Sequence, residues 1–182
     1  MDKNRKMSGK ERRDFIIQRL KRSNGPITGQ QLAKETGVSR QVIVTDIALL
    51  RTSNEPIIAT SQGYIFQQLV SNDHFIRKAV VCNHPPEQTR EELEMIVDCG
   101  VSIIDVSVEH PYYGDLTGSL MIKSRYDVDQ FVHAFSKKEA NLLSILTGGI
   151  HLHTLEADST EKMNAATDRL QQAGILVTED NA

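Results

Sequence analysis

Two short predicted helices separated by a glycine turn constrain the first part of this chain more than any other feature. Thr28 stands where a helix would begin, and Gln31, three residues later, completes a capping pattern that satisfies free backbone N–H groups of the first turn. Gly37 ends that helix because glycine tolerates the positive φ of a helix C-terminus. Ser39 then caps a helix over residues 40–51. Helix, glycine-containing turn and helix together form the helix-turn-helix pattern.

The segment LAKETGVSRQVIVTDIALLR resembles the helix-turn-helix of bacterial winged-helix regulators. Two extended runs, residues 56–60 and 64–66, flank a glycine turn and predict the β-hairpin that forms the wing. The later helix of the pair would enter the major groove of DNA by its N-terminal end. The predicted DNA contacts are its outward polar residues Ser39, Arg40, Gln41 and Thr45, which can bond bases or phosphates. The alternative is a small helical domain that binds protein.

Charge is divided unevenly along the chain. Residues 1–70 hold 12 basic and 6 acidic residues, a sum of +6, whereas residues 71–182 hold 9 and 18, a sum of -9. This asymmetry predicts two modules with a boundary in residues 67–75, and the basic module predicts a polyanionic partner. We therefore expect a DNA-binding domain at residues 1–70 and a second domain at residues 72–182.

The composition and the N-terminus exclude several classes of protein. A hydrophobic content of 39% is sufficient for globular cores, which excludes a disordered chain. No run of about 18 apolar residues occurs, so no membrane-spanning helix is expected. The first residues are basic and polar and lack the apolar core of a signal peptide, so we expect a cytoplasmic protein.

The second module alternates predicted strands with predicted helices. The predicted strands cover residues 76–82, 101–109, 116–122, 150–156 and 175–177. The predicted helices cover residues 90–100, 127–137 and 160–173, and Thr89 is expected to cap the first of them. This alternation predicts an α/β sandwich around one main sheet, and the winged helix before it places the whole chain in the α+β class.

A pair of histidines provides the first candidate metal ligands of this module. His151 and His153 lie two apart in IHLHTLE, and alternate side chains of a strand share a face, so both imidazoles project together while Leu152 packs opposite. His84 ends an earlier strand, and Glu92 lies in the first turns of the next helix, so a strand–loop–helix excursion can bring both over the sheet. Three nitrogens and one carboxylate oxygen suit Zn, Ni, Fe or Mn. The alternative is a set of surface or hydrogen-bonded core histidines.

Three further segments, HPYYGDLTGSL, RYDVDQF and LTGGIHLHTLEA, resemble the three-histidine (3H) domain, and with the helix-turn-helix the likeness covers nearly the whole chain. A 3H domain behind a winged helix is typical of the NiaR family, niacin-responsive repressors of NAD biosynthesis and niacin uptake genes. The resemblance implies nicotinic acid as co-repressor and a divalent transition metal, nickel or zinc with iron or manganese as alternatives. The implied metal ligands are His84, Glu92, His151 and His153.

The motif after the strand at residues 101–109 supplies our candidates for the wall of the ligand pocket. They are His110, Tyr112, Tyr113 and Gly114. The alternative for this segment is a tight structural turn, since proline and glycine after a strand also make a corner.

With the resemblance added, we expect a repressor rather than an enzyme. Two DNA-binding heads imply a homodimer, because palindromic half-sites mirror a twofold axis. One rival is a winged helix fused to a metal-dependent hydrolase or transferase, in which an open metal site activates water. Another is an interaction module whose histidines hold only a structural metal.

Overall fold

The computed structural model describes residues 7–67, 75–137 and 141–178. The chain divides into two compact units, residues 1–70 and 71–182. Each unit has its own cluster of buried hydrophobic side chains. The linker predicted at residues 67–75 lies mostly outside the described residues.

Residues 7–67, the described part of the first unit, form three helices and a two-stranded hairpin. They are α1 (Gly9–Lys21), α2 (Gly29–Thr36), α3 (Arg40–Thr52), β1 (Ile57–Thr60) and β2 (Gly63–Phe66). The predicted caps are confirmed: Thr28 accepts the N–H of Gln31, and Ser39 accepts the N–H of Val42. Gly37 follows α2 in the left-handed region, with φ of 68°. Local capping signals therefore place the turn between α2 and α3.

The hairpin of the first unit is attached to the segment that precedes α2. Ile27 and Tyr64 exchange both of their backbone hydrogen bonds, at 2.9 and 2.8 Å. A Cβ added at Gly63 would lie 2.5 Å from the Ile27 carbonyl oxygen, so only glycine permits this approach. The wing is thereby held against the helix-turn-helix.

The described residues of the second unit, 75–137 and 141–178, form four strands, three α-helices and two short 3₁₀ helices. The strands are β3 (Ile76–Asn83), β4 (Ser102–His110), β5 (Gly114–Ile122) and β6 (Ile150–Ala157). The α-helices are α4 (Thr89–Asp98), α5 (Arg125–Lys137) and α6 (Thr160–Gln172), and the 3₁₀ helices are Pro86–Gln88 and Leu143–Thr147. The sheet has the order β3-β6-β4-β5 with antiparallel neighbours, so β6 lies in its interior.

One face of β6 is buried and the other is open. Leu155 and Ala157 join the core formed with the helices, whereas Ile150 and Leu152 are 49% and 40% exposed. This alternation places the β6 histidines on the helix side of the sheet. The two units together confirm the predicted α+β class.

Three expectations about the second unit differ from the structure. Thr89 does not cap α4, because the 3₁₀ helix Pro86–Gln88 already enters it with helical backbone at Gln88. The strand predicted at 175–177 is reduced to one bridge between Cys82 and Leu176. β5 begins at Gly114, two residues earlier than predicted, because a tight turn pairs Gly114 directly with the end of β4.

Candidate functional site

A buried carboxylate lies at the centre of the second unit. Glu92, in the first turn of α4, is 1% exposed. Its Oε2 lies 2.8 Å from Nε2 of His84. Its Oε1 lies 3.1 Å from Nε2 of His151 and 3.5 Å from Nε2 of His153. The structure therefore brings all four proposed metal ligands together, although they come from three separate elements.

The second ring nitrogen of each histidine is bonded to a backbone carbonyl. Nδ1 of His84 lies 2.8 Å from the Pro85 oxygen, and Nδ1 of His151 lies 2.7 Å from the Gly149 oxygen. Nδ1 of His153 lies 2.7 Å from the oxygen of Asp105. A carbonyl only accepts, so each Nδ1 carries the proton and donates it. In the neutral tautomer each Nε2 then presents a lone pair toward Glu92, which is the arrangement of metal-binding histidines.

A bulge in β4 provides the partner of His153. The register of β4 against both neighbours shifts between Ile103 and Asp105. At this irregularity the Asp105 carbonyl turns to His153, while its carboxylate accepts the backbone N–H of Thr154 at 3.1 Å. Bulges commonly redirect groups beside functional sites. No local feature of the sequence indicated this contact.

The electrostatics of the cluster favour a positive charge beside Glu92. Burial disfavours every charged form, but the negative charge and hydrogen bonds of Glu92 outweigh it and raise the pKa of His84 and of His153. Burial also opposes the charge of Glu92, yet the histidines hold the pKa of this carboxyl well below its ordinary value. The carboxylate is thus the charged form, and protons or a metal cation must balance it.

Cys82 is a neighbour of the cluster that sequence reasoning missed as part of the site. It is paired with His151 across β3 and β6, and one donor atom each of Cys82, Glu92 and His151 lie within 4.8 Å of one another. Burial and the negative charge of Glu92 raise the pKa of the Cys82 thiol. A bound metal deprotonates a thiol that coordinates it, so Cys82 is a further candidate ligand beside the nitrogen and oxygen set predicted from the sequence.

Gly149 is a second residue that sequence reasoning missed. Its φ is 112°, and a Cβ added there would lie 2.7 Å from the His84 carbonyl oxygen. Its own carbonyl accepts the proton of His151. Because only glycine fits, this position lets the ends of β3 and β6 approach and sets two histidines beside each other.

The turn between β4 and β5 carries the four candidates for the pocket wall. Tyr112 and Tyr113 are 89% and 77% exposed. Nδ1 of His110 accepts the backbone N–H of Tyr112, and its ring lies 4.9 Å from the ring of Tyr113. Gly114 has φ of 68°. These contacts describe an exposed aromatic turn, and its role in ligand binding stays a prediction.

The four predicted DNA contacts are all exposed and lie at or near the start of α3. Ser39 uses its hydroxyl as the helix cap, and the Thr45 hydroxyl donates to the Gln41 carbonyl at 3.2 Å. Arg40 packs along the start of α2, where a Cβ added at Gly29 would lie 3.6 Å from its Cγ. Within the described part of the chain, no hydrogen bond engages the Arg40 guanidinium. Their contacts with bases or phosphates stay predictions.

The inner side of α3 is held by a buried ion pair. Asp46 has a side chain only 3% exposed, and its Oδ2 lies 2.5 Å from Nε of Arg12. Its Oδ1 lies 3.4 Å from a guanidinium nitrogen of Arg13. The carboxylate links α3 to α1, and the sequence alone did not distinguish it from surface acids.

No helix in the described residues is long and apolar enough to cross a membrane.

Comparison with known proteins agrees with this arrangement. Residues 12–65 match an HTH domain, and residues 77–179 match the 3H domain. Over 175 residues the chain is 46% identical to the "Transcription repressor NadR" of Bacillus subtilis, covering 96% of this chain and 97% of that protein. Over 169 residues it is 41% identical to the "Probable transcription repressor NiaR" of Thermotoga maritima, covering 93% and 95%. The chain belongs to the NadR and NiaR family.

Membership of the NadR and NiaR family confirms two expectations. The combination of an HTH domain with a 3H domain is the one that the sequence motifs indicated. The expectation of a non-enzymatic role is also confirmed, because the matched family members are named as transcription repressors.

Proposed function

We propose that this protein is a transcriptional repressor that binds operator DNA through its first unit and is controlled by nicotinic acid and a divalent metal in its second unit. The genes concerned are those of NAD biosynthesis or niacin uptake, and the protein acts in the cytoplasm. Repressor names among relatives that match nearly the full chain support the first part. The resemblance to niacin-responsive repressors supports the choice of effector.

The observation that carries the metal proposal is the direction of the histidine protons. All three Nδ1 atoms are committed to carbonyls, so three Nε2 atoms and the Glu92 carboxylate face one another inside the protein. Acceptors packed together in a buried site repel one another unless a cation lies between them. Three imidazoles and one carboxylate suit nickel or zinc, with iron or manganese as alternatives.

The charge of the second unit supports a role for the metal in holding an anionic effector. Residues 71–182 carry 9 basic and 18 acidic residues, so the unit as a whole repels a carboxylate such as nicotinate. A bound cation reverses the local potential and offers a coordination position or a neutralising charge. Nicotinamide lacks the carboxylate and is the natural comparison.

The first unit supports a DNA-binding role by its exposed polar side chains. Arg40, Gln41 and Thr45 lie on the N-terminal half of α3, the part that enters the major groove in helix-turn-helix proteins. We propose that two chains act as a homodimer on palindromic half-sites, because the twofold symmetry of such DNA matches that of a dimer. Nicotinate then favours one arrangement of the two heads through its differential affinity.

Fluorescence anisotropy on a labelled operator fragment tests this function. With metal-loaded protein, nicotinate should tighten DNA binding by about tenfold, a typical coupling between two sites, and nicotinamide should not. The chelated protein should lose the response while retaining basal DNA binding. The double substitution His151→Ala/His153→Ala should behave like the chelated protein, and His133→Ala, an exposed histidine on α5, is the control. An unchanged DNA affinity on addition of nicotinate to the metal-loaded protein would exclude the co-repressor role.

A further inference from the structure

Cys82 is a buried thiol beside the four proposed metal ligands. It lies near the end of β3, is fully buried and is a free cysteine. A buried cysteine most often acts as a small hydrophobic residue, and Cys82 does belong to the core of the second unit. It also faces Glu92 and His151, so packing alone does not account for its position.

The pairing of β3 with β6 places the Cys82 side chain beside that of His151. The two residues lie directly opposite each other in antiparallel strands. The side chains of such a pair project from the same face of the sheet, with Cβ atoms about 4.5–5.5 Å apart. Val80 lies opposite His153 in the same way, but its side chain is apolar and cannot bind a metal. Strand β3 therefore places a sulfur donor beside His151.

Hydrogen bonds along both edges of β3 hold the Cys82 backbone in place. One edge pairs with β6, and on the other edge Cys82 forms a bridge with Leu176. Next to this bridge, the N–H of Val177 donates to the Val81 carbonyl at 2.9 Å. A donor atom on a strand that is paired along both edges is positioned more precisely than one on a loop, which favours a preformed site.

The distances among the donor atoms fit a single metal ion. The sulfur of Cys82, one carboxylate oxygen of Glu92 and one ring nitrogen of His151 all lie within 4.8 Å of one another. Bonds to zinc are about 2.0–2.3 Å long, so two ligands of one ion are at most about 4.6 Å apart. Small side-chain adjustments are enough to bring these three donors onto one ion. His84 and His153 lie around the same carboxylate.

A thiolate ligand changes which metal the site prefers. A metal deprotonates a thiol that coordinates it, so the proton of the Cys82 thiol does not exclude coordination. Thiolate ligands select zinc, imidazole suits zinc as well, and carboxylate and water suit manganese. A site that adds a thiolate to imidazole and carboxylate therefore favours zinc over manganese more strongly than one without it.

We propose that Cys82 is a ligand of the bound metal, as a thiolate beside Glu92 and His151, and that it biases the site toward zinc. The proposal rests on the proposed metal site of the second unit and deepens it, but it does not depend on nicotinate or on DNA binding. Cys99 provides the comparison within the chain. This second free cysteine follows the last turn of α4, at the end opposite Glu92, and is only partly buried.

X-ray absorption at the zinc edge of the zinc-loaded full chain tests the ligand directly. The wild type should show one sulfur at about 2.3 Å from zinc, beside nitrogen and oxygen at about 2.0–2.2 Å. Cys82→Ser keeps a hydroxyl that can donate to Glu92 but removes the sulfur, so the sulfur signal should disappear. Cys99→Ser is the matched control and should retain it. Thermal unfolding reports the fold of each variant, and Cys82→Val, which keeps an apolar side chain in the core, replaces Cys82→Ser if the serine variant does not fold.

Competition titration with a chromogenic chelator measures the metal preference of the same variants. Cys82→Ser should lower zinc affinity by at least about tenfold, the loss that follows even when a group that only orients a ligand is removed. Manganese affinity should fall much less, because manganese gains little from a thiolate. If Cys82 only donates a hydrogen bond to Glu92, serine replaces the thiol in that role and both affinities are retained, which would overturn the proposal.

The possible outcomes separate the Cys82 ligand from the metal site itself. If zinc binds the wild type without a sulfur neighbour, the Cys82 proposal is overturned and the proposed metal site stands. If the sulfur signal persists in Cys82→Ser, another residue supplies it and the proposal is also overturned. If the wild type binds no zinc, the Cys82 proposal fails, and binding of nickel, iron or manganese decides the proposed metal site separately. Equal losses of zinc and manganese affinity in Cys82→Ser would overturn the bias toward zinc.

Discussion

Among the described residues, each unit buries one carboxylate, and the two are balanced in opposite ways. Asp46 in the first unit and Glu92 in the second have side chains that are 3% and 1% exposed. Asp46 faces two guanidinium groups, which are charged at any physiological pH and can only donate. Glu92 faces three imidazole nitrogens whose charge depends on a bound proton or metal.

This difference shows which unit balances its buried charge with its own side chains. Arginine supplies the counter-charge of Asp46 from within the chain, so the link between α1 and α3 does not depend on any ligand. The histidines around Glu92 supply a counter-charge only when they bind a proton or hold a metal, so the balance of charge in the second unit depends on what they take up from solution. A buried charge that needs an external partner makes stability conditional on that partner. We therefore expect the stability of the first unit to be independent of metal and the stability of the second unit to depend on it.

The largest expected difference between the units is their response to metal removal. The substitution His151→Ala/His153→Ala removes two of the four proposed metal ligands and should lower metal affinity by at least about a hundredfold. Metal content after purification, measured by mass spectrometry, should fall to background in this variant and remain in the His133→Ala control. Retention of metal by the double variant would contradict the ligand assignment.

Amide hydrogen exchange of the full chain tests the same difference between the two units. Chelation should increase amide exchange in β6 and in the first turns of α4, because the repulsion around Glu92 is then relieved only by protons. Exchange in α1 and α3 should not change. An equal increase of amide exchange in both units would show that the first unit also depends on the metal.

The ion pair of the first unit provides the next largest effect. Asp46→Ala leaves Arg12 and Arg13 without their shared partner in a largely buried position, which should lower the free energy of unfolding of this unit by about 3 kcal/mol. Asp14→Ala, an exposed acid on α1, should change it by less than about 0.5 kcal/mol. Denaturant unfolding followed by circular dichroism measures both, and metal content should be unchanged. A lower metal content in Asp46→Ala would show that the two units are not independent.

The features of the two units that could be predicted from the sequence are those that depend on neighbouring residues. The caps Thr28 and Ser39 and the turn at Gly37 depend only on residues within one turn of helix, so the helix-turn-helix was predicted correctly. The alternation of IHLHTLE is also local, and it placed His151 and His153 on one face.

The remaining features depend on contacts between distant segments. The β4 bulge at Asp105 and the approach of Gly149 to His84 arise from packing of separate elements. Thr89 shows the limit most clearly: its residue type is typical of a helix cap, but the preceding 3₁₀ helix removes the need for one. In the sequence, nothing distinguishes Asp46 from an exposed acid. Its side chain is buried, and links α3 to α1, only because α1 packs on α3.

A smaller effect is expected from Gly149, the glycine beside the proposed metal ligands. Gly149→Ala places a Cβ 2.7 Å from the His84 carbonyl, so His84 must move away from Glu92 and metal affinity should fall by about tenfold. Gly148→Ala is the matched control, because Gly148 also has positive φ, at 66°, but a Cβ there meets nothing within 4 Å. Both substitutions strain the backbone, and competition titration with a chromogenic chelator should show that only Gly149→Ala loses affinity. Equal losses would assign the effect to backbone strain alone.

The smallest expected effect concerns DNA binding and leaves the second unit unchanged. Arg40 packs along Gly29 beside Tyr64, and no described residue bonds its guanidinium, a position suited to a phosphate at the edge of the groove. Arg40→Ala should weaken binding by about fivefold on operator and non-operator DNA alike and reduce the slope of log affinity against log salt by about one. Arg77→Ala, an arginine of the second unit, is the control. A loss confined to operator DNA would instead assign Arg40 to base recognition. An altered metal content in Arg40→Ala would show that the proposed metal site of the second unit depends on the first unit.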